Sequence, residues 1–387
     1  MVDNARYPRL IAPPKGSFFL LGVRGVGKSS WARVEFPDAH FVDLLDESRY
    51  QILLANPALL AAEMRDLPAR RVVVLDEVQR VPALLNEVHR AIETARRRFV
   101  LLGSSARRLK TATTNLLAGR AVVRTMHPLV PAELGDDFDL ERILRFGSIP
   151  VIWQAEEPRA ALDVYVQLYV KEEIRAEALV RNLPAFLRFL PVAGLFHGQV
   201  INISGLARDA TTARSTVEGY LTILQDTLLA TLLPAFEPRL RVRERQHPKL
   251  YWVDPGLARA TKHQLGPVGA EERGPLFEGW ILTVLRAHNE ETELFEEIAY
   301  WAPAQARQTE VDFLLRRGRD YLALEVKSSS RFSPTVLSGL RAIGELEHLV
   351  RRIMVYLGDQ RLRTNEGIEV WPLNVFLDAV AGGKLWP

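Results

Sequence analysis

Phe18-Phe19-Leu20-Leu21-Gly22-Val23-Arg24-Gly25-Val26-Gly27-Lys28-Ser29 decides the fold of the first part of the chain. The four apolar residues read as a buried strand. The rest matches Gly-x-x-x-x-Gly-Lys-Ser without mismatch, and Ser30 to Glu35 suits a helix. Strand, loop and helix in that order are the setting a phosphate-binding loop requires. Its glycines let the backbone curl until the N–H groups point inward at phosphate oxygens, and the helix N-terminus adds partial positive charge. Nucleotide-binding residues would be Gly22, Gly25, Val26, Gly27, Lys28, Ser29 and Ser30. Lys28 would reach the β- and γ-phosphates of ATP, and the Ser29 hydroxyl would ligate Mg²⁺.

A second motif, Val72-Val73-Val74-Leu75-Asp76-Glu77, supplies the other half of such a site. A wholly apolar run suits a central parallel strand covered on both faces. Carboxylates at its C-terminal end fall where ligands bind in open α/β sheets. Asp76 would hold Mg²⁺, directly or through water, and Glu77 would polarise the attacking water. Alone, either motif would pass for a glycine-rich turn or a capped strand end; together they point to nucleotide binding and, through Glu77, to hydrolysis.

The 387 residues suggest about two or three domains, and 48% apolar content is enough for packed cores. No apolar run reaches the roughly eighteen residues of a membrane span. The first residues lack the basic and apolar regions of a signal peptide. The chain has no cysteine, which excludes disulfides, thiolate metal sites and thiol catalysis. A cytoplasmic protein is expected. Net charge is only +3, with a pI near 9.1. The positive charge is mostly arginine and is clustered: Arg96-Arg97-Arg98, Arg107-Arg108, Arg239 to Arg245, Arg316-Arg317 with Arg319, Arg351-Arg352, and Arg361 with Arg363. Guanidinium forks suit phosphate, although solvated faces of an arginine-rich chain would read the same way.

Further segments extend the first domain. His40-Phe41-Val42-Asp43-Leu44 reads as a strand, Pro82 to Ala95 as a helix, Phe99 to Gly103 as a buried strand, and Ala121 to Met126 as a fifth strand. Repeated β-α units imply a parallel sheet with helices on both faces. Over roughly residues 13–135 the chain resembles an AAA+ ATPase. That resemblance implies that Ser104, with Ser105 beside it, senses the γ-phosphate. It implies that Arg120 reaches a neighbouring subunit, with Arg124 in reserve, and hence a homo-oligomer, commonly a hexameric ring. A local salt bridge is the other reading of Arg120. No second sensor arginine stands out downstream.

The middle of the chain carries helical stretches, Leu140 to Pro150 and Ala160 to Leu190. A more specific pattern follows. Ile201 to Ala210 reads as a short helix and Ser215 to Leu224 as a second, with Val217, Leu221 and Leu224 inward. Leu228 to Leu233 reads as a strand, Arg239 to Arg243 as a strand of period 2, and Lys249 to Val253 as its partner. This is a helix-turn-helix with a basic wing. In such modules the second helix enters the major groove and the wing meets backbone phosphate. DNA contacts would come from Arg208, Arg214, Arg239, Arg241, Arg243 and Arg245. Winged helices also serve as protein docking modules.

In the last third, Val311 to Leu315 reads as a strand carrying Asp312, and Leu322 to Lys327 as a strand carrying Glu325 and Lys327 on one face. If the two strands form a hairpin, Asp312 faces the same side. Glu278, on the helix Leu276 to Arg286, would complete the set. Two carboxylates beside a lysine would hold Mg²⁺ or Mn²⁺ at Asp312 and Glu325 and would activate water. The order of elements, with a further strand near 293–301, a helix near 334–346 and a strand over 352–357, resembles the PD-(D/E)XK nuclease fold. A surface hairpin with a salt-bridged Glu-x-Lys and a fold that grips without cutting are the alternatives.

Phrases along almost the full length, among them Leu117-Ala118-Gly119-Arg120, Phe146-Gly147-Ser148-Ile149-Pro150, Pro248-Lys249-Leu250-Tyr251, Asp254-Pro255-Gly256-Leu257 and Phe277-Glu278-Gly279, resemble a prokaryotic family. It joins an AAA-type ATPase to a C-terminal domain of unknown function, 4143, that combines a winged helix with a nuclease-like fold. The expectation is an α/β chain divided at 1–135, 136–262 and 263–387: a P-loop parallel sheet, a helical and winged-helix middle, and an α/β restriction-endonuclease-like end. The expected function is ATP hydrolysis coupled to DNA processing. The alternative is a slow ATP-driven switch with protein partners, the nuclease fold serving as scaffold.

Overall fold

The computed structural model describes residues 7–105, 117, 119–170, 182–236, 247–303 and 309–387. Its first sheet contains β1 (Ser17–Leu21), β2 (His40–Asp43), β3 (Val73–Asp76), β4 (Phe99–Gly103) and β5 (Ala121–Thr125). Their order is β2-β3-β4-β1-β5, and every pairing is parallel. Helices Lys28–Glu35 and Leu84–Ala95 supply crossovers. Alternation of side chains divides the apolar strands between two cores. Phe18, Leu20, Val74, Val100 and Leu102 pack on one face. Phe19, Leu21, Val73, Leu75, Phe99 and Leu101 pack on the other. This is why these strands show no polar alternation. Each fully buried Phe or Leu contributes roughly 1.5–3 kcal/mol.

The middle of the chain contains a helix Leu183–Leu195, a helix Ile203–Asp209 and a helix Arg214–Asp226. Asn202 caps the second of these, its side chain accepting from Ser204 N at 2.9 Å. Val217, Leu221 and Leu224 are buried as their spacing requires. An antiparallel sheet follows, with β8 (Lys249–Trp252) between β6 (Gln199–Val200) and β7 (Ala230–Leu233). The expected basic wing, with Arg239, Arg241, Arg243 and Arg245, lies outside the described residues.

The last part pairs a long helix, Ala270–Thr292, with a mixed six-stranded sheet. Its strands are β9 (Glu297–Trp301), β10 (Val311–Arg317), β11 (Asp320–Lys327), β12 (Leu349–Tyr356), β13 (Leu362–Arg363) and β14 (Glu369–Pro372). β10 and β11 form a hairpin turning at Gly318, whose φ of 61° suits glycine. β11 then runs parallel to β12. The helix expected near 334–346 is instead 3₁₀ at Pro334–Leu337, α at Ser338–Ala342 and 3₁₀ again at Ile343–Glu345. Gly339 sits so close to strand β10 that a Cβ there would fall 1.8 Å from the Glu310 carbonyl oxygen. Among the described residues no helix is long and apolar enough to cross a membrane.

One joint ties the first sheet's C-terminal extension to the middle of the chain. Asp254 is fully buried. It caps the helix Pro255–Thr261 through Leu257 N at 3.1 Å and accepts Ser148 N at 2.7 Å. Gly147, at φ 78°, and Gly256 are required by contact. A Cβ on Gly147 would meet the Asp254 carboxylate, and one on Gly256 would lie 2.1 Å from the Phe146 carbonyl oxygen. Two of the family-like phrases in the sequence are therefore the two sides of one packed joint.

Candidate nucleotide and carboxylate sites

The phosphate-binding loop lies between β1 and the helix Lys28–Glu35. Gly25 and Gly27 take left-handed φ values of 74° and 99°. Gly22 passes so near Met126 that a Cβ would fall 2.6 Å from its carbonyl oxygen. Lys28 is buried, and its ammonium donates to the carbonyls of Gly22 at 2.7 Å and Val23 at 3.2 Å. Ser29 hydrogen-bonds Asp76, which ends β3 and is 3% exposed. Burial raises the Asp76 pKa, and Glu77 adds to the rise; the Ser29 bond and Lys28 oppose it.

Glu77 leaves the strand with φ 57°. Its Oε2 accepts from Ser104 Oγ at 3.1 Å and from Gln79 Nε2, and Gln79 also donates to Ser104 Oγ at 2.9 Å. The β3–β4 pairing places Ser104, just beyond β4, beside Glu77. Ser105 is fully buried. Gln79 was not singled out in the sequence; the only signal is a polar side chain two places beyond the acidic pair. Arg9 was also missed. It donates to Val26 O at 2.6 Å and His127 O at 2.5 Å and pairs with Glu133 at 2.9 Å. A cavity of about 290 Å³ opens beside it, with Gly27, Ser30, Trp31, Tyr7 and Pro150 in its walls.

Of the two arginines expected to act across subunits, Arg120 forms an ion pair with Glu93 at the end of the helix Leu84–Ala95. Arg124 donates to the Glu290 carbonyl at 2.9 Å, within its own chain. Some clustered arginines also serve the fold. Buried Arg97 binds the carbonyls of Met64, Leu67 and Pro68. Arg316 pairs with Glu297, and Arg351 with Glu369. Arg208 and Arg214 differ, with side chains 82% and 67% exposed and, among the described residues, the local partners Asp209 and Glu218.

A second constellation forms where β8, β10, β11 and the long helix meet. The register of the β10–β11 hairpin, continued one step, sets Asp312 across from Glu325. Asp312 Oδ2 accepts Val326 N at 2.8 Å. Lys327 pairs with Glu325 and lies 4.0 Å from Asp312. Glu325 is 4% exposed, and among the described residues its Oε2 has no hydrogen-bond partner. Lys249, from β8, was not among the expected site residues, yet its ammonium stands 3.0 Å from Glu278, 3.2 Å from Glu310 and 3.4 Å from Asp312. The Tyr251 hydroxyl also bonds Glu278. The long helix can approach this closely because residue 279 is glycine: a Cβ there would lie 2.4 Å from His197 Nε2.

Burial first, and then the charge of Asp312, push Glu278 up to about 7. The same two causes, in the same order, push Glu325 well above the usual carboxylate range. Burial lowers the Lys249 pKa, but Glu278, Asp312 and Glu310 outweigh it and the pKa is raised, so the ammonium stays charged.

Three family models match the chain in sequence: an AAA domain over residues 15–135, a domain of unknown function (DUF8612) over 137–266, and a second (DUF4143) over 273–376. No curated protein matches. Among solved structures, the Walker-type ATPase PABY2304 of Pyrococcus abyssi is 17% identical, with a TM-score of 0.42 over 63% of this chain and 90% of that one. Protein VC1899 of Vibrio cholerae is 12% identical, with a TM-score of 0.23 over 95% and 96%. A Signal Transduction ATPase with Numerous Domains from Pyrococcus horikoshii is 12% identical, with a TM-score of 0.21 over 74% and 49%. These likenesses are distant. The chain thus carries an N-terminal AAA domain and a C-terminal DUF4143 domain.

Proposed function

We propose that this protein hydrolyses ATP with Mg²⁺ and couples the cycle to DNA. The observation that carries the reading is the convergence, at the C-terminal ends of the central strands β1, β3 and β4, of Lys28, the Ser29–Asp76 pair and the Glu77–Gln79–Ser104 triangle. Ser29 and Asp76 would hold Mg²⁺, which when bound offsets charge on the phosphates. The glycines and Lys28 would cradle those phosphates, and the cavity beside Ser30 and Trp31 would take the base. Glu77 would accept the proton of the attacking water. Its bond to Ser104 keeps it turned aside until Ser104 meets the γ-phosphate. Arg120 would exchange Glu93 for a neighbour's nucleotide in a homo-oligomer, with a hexameric ring as one form. DNA would lie against the winged-helix middle, 136–262, with Arg208 and Arg214 on its exposed surface. Lys28→Ala is expected to abolish ATP binding and turnover; turnover at the wild-type rate would overturn the assignment of this loop.

One observation favours a second reading for the C-terminal part, 263–387. An ammonium stands among the carboxylates expected to hold Mg²⁺ or Mn²⁺. That supports an ATP-driven regulatory switch in which a nuclease-like sheet serves as scaffold. DNA-insensitive ATP turnover together with a protein partner would mark this case.

A further inference from the structure

The resemblance to PD-(D/E)XK nucleases implies a divalent cation at Asp312 and Glu325, and the side chains as they stand do not fit one. Lys249 Nζ is within 3.4 Å of oxygens from Glu278, Glu310 and Asp312, the place a bridging cation would take. The second oxygen of Asp312 is already bonded to the Val326 amide. Among the described residues no three Asp, Glu or His side chains are spaced to hold a metal.

We propose that Lys249 is a built-in cation that fills this site, so that the folded protein holds no divalent cation at Asp312 and Glu325. The inference does not depend on the ATP reading. Lys249 is 1% exposed, so no solvent shares its charge. Without it, Glu278, Asp312 and Glu325 would face Lys327 alone, three carboxylates to one ammonium. A divalent cation would balance that set. Glu325 Oε2, buried and without a partner, is a ready ligand. A buried charge left unpaired is strongly unfavourable, so removing the lysine leaves a set that a metal or protons must neutralise.

Binding of Mn²⁺ to the full-length, nucleotide-free protein, read by electron paramagnetic resonance of the free ion, tests this. Wild type and Asp312→Asn should bind Mn²⁺ equally, since any ion at the phosphate loop is common to both. Lys249→Met should gain a site roughly tenfold tighter than any in the wild type, and Lys249→Met combined with Asp312→Asn should lose it. Lys249→Gln, which keeps a polar side chain without the charge, should gain the same site; it serves if Lys249→Met does not fold. Wild-type binding that Asp312→Asn abolishes would show the site open and overturn the proposal. So would folded Lys249→Met, or folded Lys249→Gln, with no added Mn²⁺.

Discussion

Glu77→Gln keeps the size of the side chain and removes its charge. In the structure Glu77 Oε2 takes the Ser104 hydroxyl at 3.1 Å and the Gln79 amide. A glutamine can still accept from both, so the local fold should lose no more than about 1 kcal/mol. The phosphate loop and Lys28 lie on other elements, so ATP affinity should change by less than about threefold, well under 1.4 kcal/mol. Chemistry should suffer far more. A positioned general base contributes about 10²- to 10⁴-fold, or about 3–5 kcal/mol of barrier. Steady-state phosphate release gives the rate, and equilibrium binding of a fluorescent ATP analogue gives the affinity. A slow enzyme that retains ATP is the expected result. Hydrolysis at the wild-type rate would refute the role of Glu77, and parallel loss of binding and turnover would refute the separation of base from cradle.

Two further outcomes follow from particular contacts. Burial raises the fully buried Asp254 to about 6, from an ordinary 3.8. Below pH 3.8 the carboxyl is protonated whether folded or not, and its contribution is complete. As the pH rises toward 6 the unfolded chain ionises first, and stability on the order of 3 kcal/mol is lost. Thermal midpoints between pH 4 and pH 7 should show this slope in the wild type and a flatter profile in Asp254→Asn; equal slopes would contradict it. Arg208→Ala and Arg214→Ala should each lower the salt slope of DNA binding by about one, with little dependence on base sequence. An unchanged slope would move the DNA elsewhere on the protein.

The ATPase half was legible because its chemistry is local. Gly22, Gly25, Gly27, Lys28 and Ser29 fall within one short stretch, Asp76 and Glu77 end an apolar run, and a parallel sheet follows from the repeated β-α units. Gln79 escaped notice because a lone glutamine carries no pattern; only the pairing of β3 with β4 brings it to Ser104. Val217, Leu221 and Leu224 were readable from helical spacing. The region 334–346 was not, since its apolar spacing suits one helix while Pro334, Gly339 and Gly344 divide it. Lys249 was the least legible. A lysine opening a strand reads as a solvated edge, and its partners Glu278, Glu310 and Asp312 arrive from elements far along the chain. A buried charge is recognisable only once those elements are folded together. Asp254 and Gly147 had the same status: quotable as phrases, but with no reason attached until the joint between them is seen.

The most direct test is the steady-state rate of Mg²⁺-dependent ATP hydrolysis by the full-length protein at low salt, without DNA and then with single-stranded, duplex and branched DNA. The account predicts hydrolysis that one of these forms stimulates several-fold. An unvarying rate would contradict coupling to DNA and favour the regulatory switch. No hydrolysis under any condition would contradict the assignment of Glu77, Ser104 and Asp76.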